Sequence, residues 1–151
     1  MRIGIWPSLE RCTGGGEMTA RKQRTRLAFG EKHLESYRRL GNALGKISNT
    51  EQLMIALSWG FKHGTRVEEF KRSDTGPRTE YLQPEHLAII AAIHLAETGR
   101  PDALCSAEDG FDIAEQYAEG GILLLETAMD EPGDFAKMLA GEVKSEVDGL
   151  A

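Results

Sequence analysis

The chain lacks most of the marks of catalysis, metal binding and membrane insertion. It has only 2 cysteines, Cys12 and Cys105. Neither belongs to a CxxC pair and no histidine stands at ligand spacing from either. That pattern argues against a disulfide framework and for a reducing compartment. The histidines, His33, His63, His86 and His94, form neither HxxxH nor HExxH, so the common zinc patterns are missing. No apolar run approaches the roughly 18 residues of a membrane span, and the first residues are too poor in apolar side chains for a signal peptide. Gly60-Phe61-Lys62-His63-Gly64 lacks the spacing and the GK[ST] ending of a P-loop. No serine, cysteine or lysine stands in a pattern with a base. The expectations are a cytoplasmic protein with no membrane partner, no cofactor, no metal and no assigned catalytic residue.

Basic residues are scarce in the second half. Residues 81–151 hold 3 Lys/Arg against 15 Asp/Glu, whereas residues 1–80 hold 15 against 9. A net charge of -6 therefore conceals a basic half at +6 and an acidic half at -12. Such asymmetry suggests an anionic partner for the basic half, nucleic acid or an acidic protein. A plainer possibility is that the two halves face each other across oligomer contacts. With 40% apolar and 28% charged residues the composition is that of a globular chain, long enough for one domain with a core.

Residues 1–17 differ from the rest. Pro7 and Gly14-Gly15-Gly16 break any helix there, and Met18 is a candidate natural start. The expected domains are an extension or disordered stretch over 1–17 and one helical domain over 18–151. A basic arm with Arg21, Lys22, Arg24 and Arg26 leads into a short strand ending at Phe29, with Thr25, Leu27 and Phe29 on one side. Leu34, Tyr37, Leu40, Gly41 and Leu44 give a helix over 31–44 its apolar stripe, and Gly45 suits its C′ position. Ser48 and Glu51 form a capping box before a broadly apolar helix over 49–61. Gly60 and Gly64 predict a hinge after it, followed by a basic loop.

Pro84 opens a helix to Thr98 that is apolar nearly all round and reads as central; Gly99 and Pro101 end it. Ser106 with Asp109 resembles another N-cap. Ile113, Tyr117, Gly121, Leu124 and Ala128 carry a stripe to about Met129. Glu131-Pro132-Gly133 interrupts it, and Phe135, Met138, Leu139 and Val143 mark a last helix. The fold class expected is mainly α: a compact helical domain of about five helices with at most one short N-terminal strand.

The charged candidates divide by half. Glu115, Glu119 and Glu126 read as a solvated helix face. His94 reads as a hydrogen-bonded core residue, and Gly120-Gly121 as close helix packing. Arg21, Lys22, Arg24, Arg26, Lys62, His63, Arg66, Lys71, Arg72 and Arg78 are the candidate DNA contacts, suited to phosphates rather than base edges.

Strand, helix, helix over residues 24–61 looks like a ribbon-helix-helix unit. A longer resemblance covers residues 24–140: LGNALGKISN, ALSWGFK, a basic loop with Arg72, Arg78 and Tyr81-Leu82, and IAEQYAEGGILLLE. In this order the features resemble the DndE family of DNA sulfur modification (phosphorothioation). The chain departs from that pattern after Gly45, where a Thr-Pro-Asn helix start is absent, and at Gln116-Tyr117, where a histidine often stands. The resemblance implies a helical homotetramer that binds duplex or nicked DNA. It also implies work beside sulfur-transfer and ATPase components, in DNA modification tied to restriction and phage defence. A weak DNA nickase is a further activity that it implies. The residues themselves also allow a ribbon-helix-helix regulator or antitoxin, and a structural adaptor for an acidic protein.

Overall fold

The computed structural model describes residues 24–150. The extension expected over 1–17, the Met18 start, Arg21 and Lys22 lie outside the described residues. Within them the chain is mainly helical, with five α-helices and no strand. Helix α1 spans Leu34–Ala43 after a 3-10 turn at Glu31–His33, α2 spans Asn49–Lys62, α3 Pro84–Thr98, α4 Phe111–Asp130 and α5 Phe135–Gly149.

Local signals set several boundaries. Gly45 follows α1 with φ at +87°, a conformation glycine adopts without Cβ strain. Ser48 and Glu51 form the reciprocal capping box at the start of α2. Gly99 ends α3 in the left-handed region. Asp134 caps α5 by accepting the Lys137 N–H. At Ser106 the expectation is corrected: it precedes a 3-10 turn over Ala107–Gly110, and α4 begins at Phe111 without a side-chain cap.

The core forms where α2 crosses α4. Leu53, Ala56 and Leu57 of α2 pack with Ala114, Ala118, Ile122 and Leu125 of α4, with Tyr37 and Leu40 of α1 beside them. Glycine makes the crossing possible. A Cβ on Gly60 would collide with the Tyr117 carbonyl oxygen, and one on Gly121 with the Ala56 carbonyl oxygen. Gly60 is therefore helix interior and no hinge; α2 runs through it to Lys62 and the chain turns at Gly64, φ +64°. Close packing at Gly120-Gly121 is observed, since Gly120 lies equally near the Thr65 carbonyl.

One expectation about position is reversed. Helix α3 is peripheral: Ile90, Ala91 and Ile93 are buried, but Ile89 is exposed. The central helix is α4, buried on most sides from Phe111 to Leu125. Cys105 is disulfide-bonded, against the expectation from cysteine spacing, which reports only local motifs. Among the described residues no helix is long and apolar enough to cross a membrane.

Candidate nucleic-acid interface

The expected strand is an extended segment, and its partner comes from the same chain. The N–H groups of Leu27, Phe29 and Glu31 donate to the carbonyls of Pro77, Thr75 and Lys71, and those of Ser73 and Thr79 return bonds to Phe29 and Thr25. Arg26 bridges Arg78 and Gly30 bridges Arg72, both antiparallel. Leu27 and Phe29 point into the core, and the Phe29 ring stacks on Tyr37 at 3.8 Å between centroids. Thr25, expected on the same side, is exposed.

The other edge of this ribbon is closed by carboxylates. The N–H groups of Arg24, Ala28 and Gly30 donate to Glu108, Glu115 and Glu119 at 3.0, 2.7 and 3.1 Å. A side-chain carboxylate thus does for these backbone groups what a neighbouring strand would do. This overturns the solvated reading of the acidic face: Glu115 is 1% and Glu119 3% exposed. Arg24 ion-pairs with the Glu115 carboxylate, and Arg72 Nε lies 3.6 Å from its other oxygen. His33 sits between Glu119 at 3.4 Å and Glu126 at 3.3 Å, and Ser36 donates to Glu126 at 2.8 Å. Buried carboxylates need such partners. Burial pushes the Glu119 carboxyl above its ordinary range, while the His33 imidazole and the Gly30 N–H oppose the rise. Tyr37 is also pushed well up, first by burial and then by the negative charge of Glu119 and Glu115.

The candidate DNA contacts fall into three sets. Arg24 is turned inward, donating to Asp112 at 2.7 Å besides its pair with Glu115. Arg66 is held by Gln116 at 2.7 Å and Glu97 at 3.0 Å, where the Tyr117 hydroxyl also donates to Glu97. Lys62 pairs with Glu146 of α5 at 3.0 Å, and His63 ends α2 against Trp59. The remaining four lie along the ribbon. Arg26 and Arg78 share one end, with Arg26 bonded to the Gly76 carbonyl and Arg78 paired with Glu80 at 3.2 Å. Lys71 and Arg72 mark the other end. Lys71 is 78% exposed in its pair with Glu31, and Arg72 is half exposed over Phe70.

The carboxylates that order this surface, and His33, are not evident from the sequence pattern. His94 also departs from expectation, since its Nδ1 is buried without a hydrogen-bond partner among the described residues. Among those residues no group of three or more His, Cys, Asp or Glu could hold a metal ion. In comparisons with known proteins, no family model, curated protein or solved structure matches the chain.

Proposed function

We propose that the protein binds the phosphate backbone of duplex or nicked DNA through its basic ribbon, as an accessory component of DNA phosphorothioation. One observation carries the binding: Arg26 lies directly opposite Arg78 across an antiparallel bridge. Like charges in that position repel, and an anion between them relieves the repulsion. Lys71 extends the positive surface along the ribbon, beside Arg72, which is shared with Asp112 and Glu115, giving contacts to phosphate rather than to base edges. The place in sulfur modification, beside sulfur-transfer and ATPase partners, rests on the resemblance over residues 24–140. So does assembly as a homotetramer, for which the exposed Ile89 side of α3 offers a surface.

A ribbon-helix-helix regulator needs a strand free to pair with a second chain. Here residues 71–79 occupy one edge and glutamates the other, so the geometry favours the first reading. The test is duplex binding across a salt series with the double variant Arg26→Ala, Arg78→Ala. Affinity should fall about equally for unrelated sequences, and the slope of log affinity against log salt should become shallower by about two. An unchanged affinity and slope would remove the ribbon from DNA binding.

A further inference from the structure

We propose that the cleft at the Arg26–Arg78 end of the ribbon is a site for a single unpaired nucleotide, with the phosphate on the two guanidinium groups and the base stacked on Tyr81. The inference rests on the DNA-binding reading and names the part of the substrate that this end of the ribbon takes. The cleft has a volume of about 470 Å³ and is lined by Arg26, Arg78, Tyr81, His86 and Asn49 among others. Tyr81 closes the short 3-10 turn that follows Arg78, and its N–H donates to the Arg78 carbonyl. The turn thereby sets the Tyr81 backbone next to Arg78, and its side chain lines the same cleft as the two arginines. Tyr81 is 61% exposed, and it stacks on no other ring among the described residues.

An exposed tyrosine alone is ordinary. Its place in one cleft with two arginines, His86 and Asn49 is what points to a nucleotide; the cleft's carboxylate, Glu51, already accepts the Ser48 N–H at 3.1 Å. His86 Nδ1 accepts the Gln83 N–H at 3.0 Å, which leaves the Nε2–H as a donor for a base edge. Asn49 is exposed in the first turn of α2 and can both donate and accept. Glu80 holds Arg78 only through an exposed pair, the kind that a phosphate displaces readily. In an intact duplex every base face is covered by its neighbours, so an aromatic ring can stack only on a base that has left the helix. The site therefore distinguishes DNA with an unpaired nucleotide from a perfect duplex of the same length.

The experiment compares binding of the full chain to an intact duplex and to the same duplex carrying one bulged 2-aminopurine, whose fluorescence reports stacking. The wild type should favour the bulged duplex by about fivefold or more, with quenched 2-aminopurine emission. Tyr81→Ala should lower the bulged-duplex affinity to that of the intact one and restore the emission, while Tyr81→Phe keeps both signals. Circular dichroism checks that each variant keeps its helical content. Equal wild-type affinity for the two duplexes, or a preference that survives Tyr81→Ala, overturns the nucleotide site and leaves backbone binding standing. Failure of the wild type to bind either duplex overturns the DNA reading and this inference with it.

Discussion

Glu119 shows how one side chain can serve the fold in a place where its charge is costly. It accepts the Gly30 N–H and faces His33 while almost fully buried. Burial is the largest influence on its carboxyl and raises the pKa. A carboxyl with a raised folded pKa contributes stability that is complete below the unfolded value of about 4.3 and is lost as pH rises through the folded value. Glu119→Gln keeps an oxygen for Gly30 but cannot ionise. In urea unfolding from pH 4 upward, the stability of the wild type minus that of the variant should therefore fall as pH rises. A difference that grows instead would mean that attraction to His33 outweighs desolvation. The burial of this residue was hidden in the sequence because glutamate in a helix is ordinarily exposed. Only the unsatisfied N–H groups of a distant extended segment call it inward.

Among the elements, α2 and α4 are the pair on which the fold depends, and two glycines decide how closely they approach. Gly60→Ala must push against the Tyr117 backbone, which cannot rotate away as a side chain could. Forced overpacking of this kind costs about 1–3 kcal/mol, and chemical denaturation should show a loss of at least that size. Gly141 in α5 is the contrast, since an added Cβ there would meet nothing within 4 Å. Gly141→Ala should stabilise by about 0.5–1 kcal/mol through helix propensity alone. Equal effects at the two positions would show that α2 and α4 can part without cost. The helices themselves were legible: the capping box, Gly45, Gly99 and the Glu131-Gly133 break lie where the sequence places them. Their depth was less so. Apolar periodicity reports which faces avoid water, and α3 and α4 share that property. Which of them is central depends on the bulk of side chains contributed by other elements.

At the scale of the molecule, several basic residues of the first half are met by carboxylates of the second half among the described residues. Arg24, Arg66 and Arg72 of the basic half reach Asp112, Glu115 and Glu97 of the acidic half. The division into halves was visible in the sequence, but a charge count cannot tell a cation that faces a ligand from one that faces its own carboxylate. The number of partners and the cover over the cation itself separate them. Arg66 is held at three points by Glu97, Gln116 and Glu68, and its side chain is 30% exposed. Arg78 holds an exposed glutamate and is itself 56% exposed. Single alanine variants should then act in opposite ways. Arg66→Ala leaves Glu97 and Gln116 without their guanidinium and should cost about 1–3 kcal/mol in unfolding free energy, with DNA affinity changed by no more than about twofold. Arg78→Ala should leave the urea midpoint in place, because exposed pairs contribute little, and should weaken duplex binding while lowering its salt slope by about one. Should Arg66→Ala weaken DNA binding as much as Arg78→Ala in a protein of unchanged stability, the internal ion pairs would be resting contacts that DNA exchanges, and the interface would extend from the ribbon to the loop after α2.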